Sequence, residues 1–171
     1  MKPLPHTYFL ICLLALFCAS IDVTAQHYPV RPIRLIVADA VGGAPDQLAR
    51  LLRQKLLDSL GQQVIVDNRP GAAGVLGADI AAKSPNDGYT LLLTTTSIYA
   101  ILPNLRKNLP YDPARDFVPI SRLATASNVL VVNASLAAKS VAELVQLAKR
   151  KPGAINYASA GIGSPAHLAG E

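Results

Sequence analysis

The stretch Ile33-Arg34-Leu35-Ile36-Val37-Ala38-Asp39-Ala40-Val41-Gly42-Gly43-Ala44-Pro45-Asp46 holds a strand, a corner and the start of a helix. Ile33 to Val37 is apolar and rich in β-branched side chains, as a buried strand requires. Val41 to Pro45 then turns the chain, with Pro45 at the opening of a helix where its missing N–H costs nothing. Leu48, Leu52, Leu56 and Leu60 recur every four residues with Leu51 beside them, which gives one apolar stripe, and Gly61 is placed to end the helix.

The same unit repeats downstream. Val64 to Val66 predicts a second strand, closed by Asp67-Asn68-Arg69-Pro70-Gly71, and a short Ala-rich helix is expected from Val75 to Lys83. After the turn Ser84-Pro85-Asn86-Asp87-Gly88, the run Thr90 to Thr95 predicts a third strand. Its Leu91-Leu92-Leu93 is continuous and apolar, as in a parallel sheet covered on both faces. Strand, helix, strand, helix, strand at this spacing means right-handed crossovers and a parallel α/β sheet. Leu102 to Phe117, with Pro103, Pro110 and Pro113, reads as an irregular segment on the surface.

Apolar runs resume at Val129 to Val132. Ser140-Val141-Ala142-Glu143 is a capping box; Val141, Leu144, Val145 and Ala148 would form a buried face, and Pro152-Gly153 stops the helix. Lys149-Arg150-Lys151 complements the negative end of that helix and reads as a solvated terminus. Ile155 to Ala158 predicts one more strand. Ser159-Ala160-Gly161-Ile162-Gly163-Ser164-Pro165 then turns into a helix barely begun at Glu171, so the chain is expected to be truncated.

Residues 1–25 read as an export leader: Lys2 and His6, an apolar run from Tyr8 to Phe17, and Val23-Thr24-Ala25, with cleavage after Ala25. The run is well short of the roughly 20 residues that span a bilayer as a helix. Cys18 has Phe17 before it, where a lipid-attachment site wants a small residue. Both cysteines, Cys12 and Cys18, lie in this stretch, so residues 26–171 contain no thiol for disulfides, zinc or nucleophilic catalysis. Loss of Lys2 and Asp22 leaves the net charge of +5 unchanged. That balance mildly favours anionic ligands, while scattered cations and few aromatics argue against nucleic acid.

Gly42-Gly43-Ala44, Thr94-Thr95-Thr96-Ser97 and Ser159 to Ser164 each follow a strand. Ligands of open parallel sheets bind at the carboxyl ends of strands, and main-chain amides at helix N-termini attract a carboxylate or phosphate. Each loop also has a structural reading: a tight glycine turn with Asp46 compensating the helix dipole, ordinary strand-end threonines, and Ser164 as an N-cap. An enzymatic alternative uses Gly42-Gly43 with Asp67 as a dinucleotide site, but the third glycine is missing. His27 and His167 with no Gly-x-Ser-x-Gly elbow assemble neither a hydrolase triad nor a metal cluster.

Residues 37–46, Val66-Asp67-Asn68-Arg69-Pro70-Gly71-Ala72-Ala73-Gly74, Asp87-Gly88-Tyr89-Thr90-Leu91-Leu92, Leu109-Pro110-Tyr111-Asp112-Pro113 with Asp116-Phe117, and residues 161–171 together resemble the successive motifs of Bug-type, TctC-like tripartite tricarboxylate transporter receptors. The resemblance runs in order along residues 26–171. It implies a fold like the type II periplasmic binding proteins, with a first α/β lobe over 26–124 and the start of a second lobe over 125–171. It implies a non-catalytic, cofactor-free and metal-free periplasmic receptor, monomeric when complete, that delivers a small carboxylate solute to membrane permease subunits. Position by position it points to Gly42, Gly43, Asp46, Thr95 and Thr96 on the first lobe. Ser159, Gly161, Gly163, Ser164 and His167 fall on the second. The family's first loop reads Pro-Phe-x-Pro-Gly-Gly, whereas here Asp39 stands for the phenylalanine and Val41 for the last proline. Asp39 either meets the ligand, opposing a second anionic group, or points to solvent or to Arg34. The alternatives to the receptor are the nucleotide-dependent enzyme above and a non-functional fragment, because half a cleft cannot close.

Overall fold

The computed structural model describes residues 27–171; the leader, its cleavage point, Cys12 and Cys18 lie outside the described residues. Three parallel strands, β1 (Ile33–Val37), β2 (Val64–Asn68) and β3 (Thr90–Leu93), form one sheet in the order β2-β1-β3. Val37 lies abreast of Asn68 on one side and of Leu93 on the other, so all three strands end at one edge.

Alternation in β1 divides the interior into two layers. Ile33, Leu35 and Val37 face α1 (Ala44–Leu60), where they pack with Ala49, Val64, Leu93 and the partly buried Leu48, Leu52, Leu56 and Leu60. The four-residue leucine repeat is thus the stripe that covers the sheet, and Gly61 closes the helix by donating its N–H to Leu57 O at 2.9 Å. On the opposite face lie Ala78 of α2 (Val75–Ala82), Ile98, Leu102 and Tyr111, with Leu92 and Phe117 packed against them. Gly77 is what lets α2 approach: a Cβ there would sit 2.8 Å from Ala38 Cβ and 2.9 Å from Ala38 Cα. Arg34 shares a face with Asp67, two residues beyond its cross-strand partner Ile65. Its Nε donates to Asp67 Oδ2 at 2.8 Å, while Arg69 Nε donates to Oδ1 at 2.9 Å.

The segment expected to be irregular on the surface, Leu102 to Phe117, opens instead with α3 (Leu102–Leu105), which continues one wide helical turn (Ser97–Ile101), and Leu102 and Tyr111 are buried. At the edge where the strands begin, the chain before β1 is clasped to the turn before β3. Tyr28 donates its hydroxyl to Gly88 O at 2.7 Å, Val30 N–H donates to Tyr89 Oη at 3.0 Å, and the Arg31 guanidinium lies 4.1 Å from the Tyr89 ring centroid and pairs with Asp87.

After Phe117 the expectations need correction. Ile155 to Ala158 is not a strand, because no neighbouring segment among the described residues offers it a ladder. The helix appears as α4 (Val141–Arg150), and Ser140 caps it: Glu143 N–H donates to Ser140 Oγ at 3.2 Å, and Lys139 N–H donates to the Glu143 carboxylate at 2.7 Å. Its expected buried face is open, however, with Val141 65% and Val145 44% exposed. Val129, Leu130, Val131 and Val132 are exposed as well. α5 (Pro165–Gly170) is the last element, capped by Ser164. No helix of the described residues is long and apolar enough to cross a membrane.

Candidate functional site

Parallel strands of matched register deliver their following loops to a common edge, and here the loops touch one another. Ala38, just past β1, lies against Gly74 and Gly77, which follow β2, and Ile98, past β3, also lies against Gly74. The fourth corner arrives through Gly163, which is buried, has φ +88°, and rests on α3 so closely that a Cβ would overlap the Leu102 side chain. Only glycine suits that position, on both backbone and steric grounds. Segments that follow the three strands therefore meet around Gly74, between Ala38 and Ile98, and the Ser159–Ser164 corner joins them where Gly163 rests on Leu102, whereas the nearest neighbours of Gly43 are in its own loop.

Their donors are not all free. In the first corner Gly42, at φ +83°, gives its N–H to Asp46 Oδ2 at 2.8 Å, and Gly43 gives its N–H to Ala40 O at 3.2 Å. The two amides expected to meet a solute are thus spent inside the loop. Gln47, the first residue able to bond within the helix, reaches Gly43 O at 3.0 Å, while Pro45 has no N–H. Ala44 and Asp46 supply the amides of the first turn that the helix itself leaves without acceptors.

Asp46 is 2% exposed. Arg50 Nε donates to its Oδ2 at 3.0 Å, and Oδ1 is buried with no partner. The Arg50 guanidinium, then the Gly42 amide, hold the Asp46 carboxyl below its usual range, against the opposing effect of burial; the nearby Asn68 amide adds to the lowering. Asn68 Nδ2 is itself buried with no hydrogen-bond partner. Asp46 is thus an organiser of the first corner, the role that dipole compensation anticipated.

Asp39 is half-buried, and its Oδ1 accepts from Ala40 N–H at 2.7 Å. It does not pair with Arg34, which is engaged by Asp67. Asp67 in turn has both oxygens committed to arginines, so it is not available to grip a ribose as the dinucleotide alternative requires.

Thr95 and Thr96 are exposed at the end of β3, and Thr95 Oγ1 accepts weakly from Ser97 N–H at 3.4 Å. In the last corner Ser159 Oγ accepts from Gly161 N–H at 3.3 Å, and Ser164, 4% exposed, accepts from His167 N–H at 3.1 Å. His167 is partly buried, its Nδ1 has no partner, and its Nε2 lies 3.7 Å from a Glu171 carboxylate oxygen. Asn68, Arg50 and the buried Ser97 belong to this neighbourhood and were not singled out from sequence. Asn68 follows Asp67 at a strand end, where an amide looks like any other turn residue.

Comparison with known proteins bears on the whole arrangement. A family model described as "Tripartite tricarboxylate transporter family receptor" matches residues 48–171. Protein BugT of Bordetella pertussis is 42% identical over 164 residues, covering 93% of this chain and 50% of the relative. A solved structure of R. palustris Rpa4515 with adipate superposes with a TM-score of 0.78 at 38% identity, over 84% of this chain and 48% of the other. The periplasmic binding protein BugD gives a TM-score of 0.70 at 34% identity, with the same coverage. The chain spans about half the length of these relatives. With the sheet, its order of motifs and these similarities in agreement, the chain belongs to the tripartite tricarboxylate transporter receptor family.

Proposed function

We propose that the protein is an extracytoplasmic solute receptor that captures a small carboxylate-containing molecule and presents it to the membrane subunits of a tripartite tricarboxylate-type transporter. The observation that carries this reading is that the three parallel strands end at one sheet edge, where Ala38 and Ile98 meet Gly74, Gly163 rests on Leu102, and Thr95 and Thr96 are exposed. A neighbour of the same fold holds adipate, which is consistent with a carboxylate as the recognised group.

On this reading Thr95, Thr96, Ser159, Gly161, Gly163, Ser164 and His167 line the solute, and Asp39, Gly42, Gly43 and Asp46 shape its other end. Affinity comes from donors held in place beforehand, together with closure of two lobes. The periplasm is the compartment, and residues 1–25 are the leader, cut after Ala25. The receptor acts as a monomer, with lobes over 26–124 and from 125 onward.

A thermal-shift screen of the complete receptor against organic acids, amino acids and aromatic acids tests this. At a free concentration of 100 times Kd, a true solute stabilises by about 2.7 kcal/mol, which shifts the transition visibly. A screen in which no carboxylate raises the midpoint refutes the proposal.

A further inference from the structure

The sequence suggests that the N-terminus of α1 offers bare amides to an anion. In the structure that position already holds the protein's own negative charge. Asp46, in the first turn, is 2% exposed and bonds Gly42 N–H through Oδ2. Asp39 stands on the other side of the corner: a Cβ built on Gly43, the residue that opens α1, would lie 3.6 Å from Asp39 Oδ1. Two carboxylates therefore flank Gly42-Gly43, and one cation, Arg50, offsets them through Asp46. Among the described residues no cation pairs with Asp39.

Charge of one sign in a partly desolvated corner disfavours an incoming group of the same sign, and the penalty grows as water is excluded.

Resting on the receptor reading above, we propose that this corner is a donor-seeking subsite. The end of the solute that meets Gly42-Gly43 carries an amide, hydroxyl or ammonium group and not a second carboxylate. The solute's single carboxylate is held away from α1, on the side of Thr95 and Thr96. The class of solute is thereby a monocarboxylate with a polar donor at its far end, and Asp39 is the residue that sets the discrimination.

The test uses the complete receptor and matched probe pairs, each a dicarboxylate and its monoamide: succinate with succinamate, glutarate with glutaramate, adipate with adipamate. Titration calorimetry near neutral pH is expected to give, for the chain length that fits, a monoamide affinity about tenfold above that of the dicarboxylate. Asp39→Asn, which keeps the size of the side chain and an oxygen for Ala40 N–H, is expected to narrow that gap to about threefold or less by raising the dicarboxylate's affinity. A merely structural role for Asp39 would weaken both members of a pair together. Equal or tighter binding of the dicarboxylate by the unmodified receptor overturns the donor-seeking subsite while leaving the receptor reading intact, as does a gap that Asp39→Asn leaves unchanged. If no pair member and no other carboxylate binds, the receptor reading falls and this inference falls with it.

Discussion

Asp46 and Asp67 are both held below the usual carboxylate range, by different neighbours. Asp46 is held there by Arg50 and the Gly42 amide; for Asp67, burial pushes upward but Arg34 and Arg69 outweigh it. A carboxyl whose folded value is depressed contributes stability that is present above its unfolded value of about 4 and is lost as pH falls through the lower folded value. Urea midpoints measured across acid pH are therefore expected to drop below about pH 4, and Asp67→Asn is expected to flatten that drop. An Asp67→Asn profile that parallels the unmodified one would show that the arginine pair is worth nothing. Gly163 permits a second test at this scale: Gly163→Ala forces a Cβ into Leu102, so hydrogen exchange of residues 159–164 should rise while sheet amides keep their protection. The first corner was legible as a tight, polar turn because glycine, proline and aspartate each announce a backbone need. That its own amides would be consumed was not legible, because a hydrogen bond from Gly42 to Asp46 depends on the left-handed conformation of Gly42, which Gly42-Gly43 permits but does not dictate.

At the level of elements, the strands and helices that carry strong local signals formed where expected. The Leu48 to Leu60 stripe and the terminal Gly61 define α1, and the capping box defines α4 although its apolar face is open. Ser140→Ala is expected to cost α4 about 1 kcal/mol. Circular dichroism on thermal melting, or faster exchange at Glu143 N–H, reads the loss, and an unchanged exchange rate there would mean the cap contributes nothing. Gly77→Ala belongs here as well. Its new Cβ meets Ala38 backbone at 2.9 Å, so α2 must back away from β1 at a cost of about 1–3 kcal/mol, read as a lower denaturation midpoint. Ile155 to Ala158 failed as a strand because strand propensity is a statement about a pleated, paired surface. A run of the right residues with nothing alongside it satisfies only half of that condition.

Over the molecule as a whole, burial is uneven. The sheet, α1, α2 and the Ile98–Leu102 region hold the interior, whereas Val118, Ile120, Val129, Leu130 and Val131 stand 60–87% exposed. Native-state hydrogen exchange should accordingly show the amides of Ile33–Val37 as the slowest and those of 118–135 near the unprotected limit; uniform protection across both would contradict this distribution. The parallel topology was readable in advance because three β-branched or leucine-rich runs alternate with helical periods. The bareness of the later segment was not, since an apolar run in sequence does not say which surface covers it. The clasp of Tyr28, Val30 and Arg31 on Asp87 to Tyr89 fixes the chain entering β1 at the rim of the sheet opposite the loops that follow the strands. Cargo joined ahead of Tyr28, whether an affinity handle or a fluorescent reporter, therefore leaves from the end of the sheet where the strands begin and keeps clear of the loops at its other end.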